Sequence, residues 1–246
     1  MSQYCNTHTY ILRHSDFDLR NELKPSALLS LTQESAGFSA EELGFGVEEL
    51  KKKGCGFIIV NTYCRLFRPA RLGETLTVDT WPLPPRHVIF ERDYRVRSGE
   101  ETVAAVASRW CLVDLNDFSL LTPERLGESH DRCPYRAEKT AEVPSWKIPK
   151  PGASAREVLR LRVGYSHCDY YLHANNTRYA DFFFDCFSSD ELRGVKSFQI
   201  VYGKQAKEGA ELTFFREDCG DISVCEAHSG EETIAQFRIE FTEPRS

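Results

Sequence analysis

Apolar and basic residues alternate over residues 157–163, where Val158, Leu159, Leu161 and Val163 interleave with Arg160 and Arg162. A period near two predicts a strand. From Tyr179 the period lengthens: Tyr179, Phe183 and Phe187 fall at i, i+4 and i+8, which is one face of a helix. The stretch between is polar and crowded, with Asp169, His173, Asn175 and Asn176 close together. Asn175 and Asn176 stand where an N-cap belongs, because a short side-chain oxygen accepts from the free N–H groups of a first turn. Polar groups are therefore expected where a strand gives way to a helix that lies under a sheet.

The first half has the same order of elements. Residues 7–13 predict a strand and 14–18 a turn; Pro25 then opens a helix with Leu28, Leu31, Ser35 and Phe38 on its inner face and Gly44 and Gly46 at its end. Strands come next over 54–68, 75–81, 87–97 and 102–114, the last two joined by the hairpin signal Ser98-Gly99-Glu100. In the second half, strands are expected near 198–203, 211–216, 222–228 and 233–241. Gly73-Glu74-Thr75-Leu76 matches Gly209-Ala210-Glu211-Leu212, and residues 14–20 align with 167–173, which sets Arg20 opposite His173 and Pro25 opposite Arg178. A duplication is the simplest reading. The expected domains are 1–132, a linker over 133–155 rich in proline and lysine and anchored by Trp146, and 156–246 with the acid–His–Asn-Asn set.

Composition narrows the function. The formal net charge is −6, which disfavours nucleic acid as a partner. The apolar runs are too short for a membrane span, and the N-terminus lacks the pattern of a signal peptide. Nine cysteines, an odd number without a CxxC, suggest reduced thiols and a cytoplasmic location. His167, Cys168 and His173 lack a recognised ligand spacing, so no metal and no cofactor is expected. Basic residues cluster at Lys51–Lys53, at Arg65, Arg68 and Arg71, and between Lys139 and Arg162, which would suit a small acidic protein.

The central motif, Asp169-Tyr170-Tyr171-Leu172-His173-Ala174-Asn175-Asn176-Thr177-Arg178-Tyr179, resembles the D-x-N-x-H-V-N-N-x-x-Y pattern of the acyl-ACP thioesterases of bacteria and plant plastids. Arg68-Pro69-Ala70-Arg71-Leu72-Gly73-Glu74, Thr80-Trp81 and the segment 110–114 extend the resemblance over the first half. It implies an α+β fold, a tandem (double) hotdog of two antiparallel sheets each wrapped around a long helix, with the acyl-chain pocket in the first half near residues 27–38. Two departures stand out. Tyr171 replaces the family's asparagine, and Gln205 and Ala206 stand where the family has a glutamate and, in plant members, a cysteine.

The implied activity is hydrolysis of fatty acyl-acyl-carrier protein to free fatty acid and carrier. Asp169 and His173 are the candidates for activating water, and the residues leave open which is the base. Gln205 can position a water but cannot take its proton. Asn175 and the backbone N–H groups of residues 175–177 are the expected oxyanion donors, while Tyr171, Asn176 and Tyr179 are expected to bind substrate. Cys168 is not a promising nucleophile beside Asp169, since neighbouring residues on a strand face opposite ways. The implied partner is acyl-carrier protein, its phosphopantetheine arm entering between the halves; a homodimer is compatible with the pattern. Acyl-CoA hydrolysis, or acyl-thioester binding without hydrolysis because of Gln205, are the alternatives.

Overall fold

The computed structural model describes residues 4–243. Two compact units make up the chain. The first runs to residue 23 and then takes 27–62 and 67–142; the second takes 24–26, 63–66 and the chain from Val143 onward.

The first unit contains β1 (Asn6–Ile11), most of α1 (Pro25–Glu42), α2 (Val47–Lys52), most of β2 (Cys55–Leu66), β3 (Thr75–Pro82), β4 (Ile89–Ser98), β5 (Glu101–Asp114), β6 (Leu120–Leu121) and α3 (Glu128–Asp131). Its strands lie in the order β1-β3-β4-β5-β2, with β6 beside β5. The β4–β5 hairpin turns at Gly99, whose φ of 59° a side chain would resist. Alternation sends Phe90, Arg92, Tyr94 and Val96 of β4 to one face, and α1 covers it: Arg92 Nη1 donates to Ser39 Oγ at 2.9 Å, and Tyr10 OH meets Ser35 Oγ at 2.8 Å. The opposite face is strapped by residues 136–140. Trp81 Nε1 donates to the Glu138 carbonyl at 2.9 Å, the Arg136 guanidinium lies 4.0 Å from the Trp81 ring centroid, and Thr140 Oγ1 donates to Asp93 at 3.0 Å. The extended segment expected here is thus bound by specific contacts, chiefly through Trp81.

The second unit contains β7 (Arg156–Arg162), α4 (Arg178–Phe184), β8 (Val195–Tyr202), β9 (Glu211–Cys219), β10 (Ile222–Ser229) and β11 (Glu232–Phe241). Its strand order, β7-β9-β10-β11-β8, repeats that of the first unit element for element. The core is aromatic. Phe183 stacks on Phe237 at 4.9 Å and meets Phe214 edge-on at 5.4 Å, while Phe184 meets Phe198 at 5.4 Å. Such pairs add roughly 0.5–1.5 kcal/mol each beyond their burial.

Two expectations need correcting. The helix after the central motif is short, 7 residues against 18 in α1. Arg216, 3% exposed, donates from Nη1 to the Cys186 carbonyl at 2.9 Å, and the chain tightens there into three-residue turns. Phe187 stays buried although it lies beyond the helix.

The second correction is one of register. The short 3-10 turns are His14–Asp16 and Tyr165–His167, the isolated bridges are Phe17 to Leu23 and Cys168 to Ala174, and positive φ occurs at Asn21 and Leu172. Each pair differs by the same number of positions, so Asp18 matches Asp169 and Glu22 matches His173. The sequence alignment is off by two residues because it tracks residue likeness, whereas the loop is defined by its turn. In both copies the aspartate builds that turn: Asp18 Oδ1 accepts from Arg20 N at 2.8 Å, and Asp169 Oδ1 accepts from Tyr171 N at 2.9 Å.

Candidate active site

The motif occupies the loop between β7 and α4, closed on itself by the Cys168–Ala174 bridge. Asp169 N donates to the His173 carbonyl at 3.1 Å, and Leu172 N to the Asp169 carbonyl at 2.9 Å. Leu172 holds φ at 65°, a conformation unfavourable for a branched side chain. Asp169 and Asn175 meet directly, Asn175 Nδ2 donating to Asp169 Oδ2 at 3.0 Å. The two carboxylate oxygens are thus divided between the turn and the amide.

Asn175 also faces the other way. Its Oδ1 accepts from Thr177 N at 2.9 Å and from Thr177 Oγ1 at 2.8 Å. α4 therefore starts at Arg178, later than the Asn-Asn pair suggests, and the Thr177 N–H is not available to an oxyanion. The Asn175 N–H donates to the His167 carbonyl at 2.9 Å. The Asn176 N–H has no partner among the described residues, and one Asn175 Nδ2 hydrogen remains over.

His173 is half-buried. Its Nδ1–H donates to the Ala174 carbonyl at 3.1 Å, which leaves the Nε2 lone pair open. Tyr171 stacks on the imidazole, rings 6.1 Å apart and 12° from parallel. Among the described residues no hydrogen bond joins the His173 ring to the Asp169 carboxylate or to Gln205. Gln205 is exposed, on the segment after β8. That segment is pinned beside the motif by Ala174 N, which donates to the Ala206 carbonyl at 2.7 Å.

Tyr179 is buried, and burial pushes its phenol up to about 12. Its ring meets Tyr202 edge-on at 5.8 Å. Tyr179 thus packs against the end of β8, ahead of the segment that bears Gln205. Asn176 is half-buried at the loop's end. Burial, then the carboxylates of Glu208 and Asp169, push the Cys168 thiol up, away from the reactive thiolate. His167, weighed on spacing only as a metal ligand, has a structural place: its Nδ1 accepts from Gly164 N at 3.0 Å and its ring packs edge-on against Phe182.

Residues 3–120 match the family model described as the acyl-ACP thioesterase N-terminal domain. No curated protein matches the chain by sequence. An acyl-ACP thioesterase of Bacteroides thetaiotaomicron VPI-5482 superposes with a TM-score of 0.88 at 21% identity, covering 96% of this chain and 97% of its own. The 12:0-ACP thioesterase of Umbellularia californica gives a TM-score of 0.83 at 19% identity, covering 98% of each chain. At such identities these structures speak for a shared fold of antiparallel sheets. Residues 3–120 thus match the acyl-ACP thioesterase N-terminal domain, and the chain as a whole shares its fold with solved acyl-ACP thioesterases.

Proposed function

We propose that this protein hydrolyses the thioester of fatty acyl-acyl-carrier protein, releasing free fatty acid and carrier, and that its two units are tandem hotdog repeats. The observation that supports the reading best is the division of labour in the motif. Asp169 is engaged by Tyr171 N and Asn175 Nδ2, while Nε2 of His173 is left open. His173 is then the base: Nε2 takes a proton from water as the water oxygen bonds to the thioester carbon. The oxyanion is met by the Asn176 N–H and the spare hydrogen of Asn175 Nδ2. When the carbon–sulfur bond breaks, the imidazolium returns its proton to the leaving thiolate. Tyr171 lies against the imidazole and lines the approach of the acyl thioester. Gln205 holds the attacking water through its amide but takes no proton from it.

The amide at Gln205 also supports a second reading, an acyl-thioester binder that does not turn over; hydrolysis of acyl-CoA is the near alternative. Free-thiol release from a panel of acyl-ACPs and acyl-CoAs decides among them. Wild type is expected to be active, with His173→Ala about 1000-fold slower. Gln205→Glu is expected to be faster if the water lacks a carboxylate. A wild type that binds acyl-ACP but releases no thiol from any substrate would sink the enzyme reading.

A further inference from the structure

The loop bearing the motif turns its apolar side chains outward. Tyr165, Tyr170 and Leu172 are 86%, 73% and 78% exposed. Tyr170 and Tyr171 lie 4.1 Å apart, so the apolar surface is continuous up to the residue that stacks on His173. The left-handed backbone at Leu172 keeps this side chain out of the loop's interior at a conformational cost. Large apolar residues gathered at one place on a surface mark an interaction site far more often than those scattered singly.

Two cations stand on the segments next to this loop. Arg162, at the end of β7, is exposed, and its ion pair with exposed Glu211 spans 4.0 Å, the limit of such a contact. Lys207 is exposed, and its ammonium has no partner among the described residues. Val163 N donates to the Ala210 carbonyl, and Gly209 N to the Val163 carbonyl, which ties Arg162 to the turn that carries Lys207. Tyrosine and arginine beside an apolar centre is the composition of a protein interface, and the weakly paired Arg162 with the exposed Lys207 suits an acidic partner.

Resting on the thioesterase reading, we propose that Tyr165, Tyr170 and Leu172, with Arg162 and Lys207, form the docking surface for the acidic carrier protein. Docking here brings the carrier to the same loop that holds His173. The variants Leu172→Asp and Arg162→Glu/Lys207→Glu test it in the full chain. Each is assayed with acyl-ACP and with the same acyl group on free pantetheine. We expect kcat/KM for acyl-ACP to fall about tenfold or more, through KM, with acyl-pantetheine turnover within about twofold of wild type. Equal losses on both substrates, or no loss on either, would overturn the proposal while leaving the thioesterase reading intact. Binding of a carrier bearing a non-hydrolysable acyl amide, measured by fluorescence anisotropy at low and high salt, reads docking even without turnover. Unchanged affinity in both variants there rejects the surface, as does a dimer in wild type that Leu172→Asp turns into monomer.

Discussion

Asp93 of β4 offers the sharpest quantitative test of the fold. It is 2% exposed, and burial pushes its carboxyl up to about 6, against the partial relief given by the Thr140 N–H and hydroxyl. The folded chain therefore holds this proton more tightly than the unfolded chain. The stability it contributes is fully present below pH 4 and is lost as pH rises through about 6. The gap between about 6 and the ordinary 3.8 corresponds to about 3 kcal/mol, roughly half of it falling between pH 5 and 8. Asp93→Asn removes the titration. Its absolute stability depends on whether the new amide hydrogens find acceptors, but the pH dependence of the difference between wild type and variant does not. Urea denaturation at pH 5 and pH 8 should show wild type losing about 1.5 kcal/mol relative to the variant across that range. A difference that stays constant, or one that grows in favour of wild type, would refute the desolvation argument. It would also mean that the strap of residues 136–140 does not seal this face.

Two further outcomes concern the second unit. Asn175→Ala removes the bonds to Asp169 and to Thr177 N and Oγ1, so a loss of about 2–3 kcal/mol in urea unfolding is expected, together with at least about 100-fold lower thiol release; full activity would show that Asn175 is only a cap. Arg216→Met breaks the pairs with Glu191 at 2.5 Å and Asp218 at 2.7 Å and the bond to the Cys186 carbonyl. Because both carboxylates can still reach water, the expected cost is about 2–3 kcal/mol, below that of a fully buried pair. Thermal melts that match wild type would remove Arg216 as the reason α4 stops where it does.

Sequence patterning anticipated the order of strands in both halves, since alternation and turn residues are local signals and the duplication repeats them. Less visible were features set by distant partners. α4 stops at Phe184, and Arg216, far along the chain, binds the Cys186 carbonyl just beyond it, so the i, i+4, i+8 pattern through Phe187 overstates the helix. The strap depends on Trp81 and Asp93 meeting Glu138 and Thr140. At the motif, the sequence grouped Asp169, His173 and Asn175, but the pairing of Ala174 with Ala206, which brings Gln205's segment alongside, leaves no local trace. Domain limits blur for the same reason: residues 24–26 and 63–66 group with the second unit.

The corrected register bears on which group takes the proton. In the first copy Asp18 builds the same turn, with Oδ1 accepting from Arg20 N and also from Glu22 N at 3.0 Å, and Glu22, at the position of His173, pairs with Arg20 and Arg71. That copy has no imidazole and no amide in place of Asn175, where Lys24 stands, yet it keeps the loop. The aspartate is thus retained in a loop that lacks the imidazole and the amide, which is what a turn-building residue should show. Among the positions where the copies differ are the two that the proposed mechanism uses, His173 for Glu22 and Asn175 for Lys24. This favours the proposed reading in which Asp169 acts through Asn175, by orienting its amide, and His173 takes the proton.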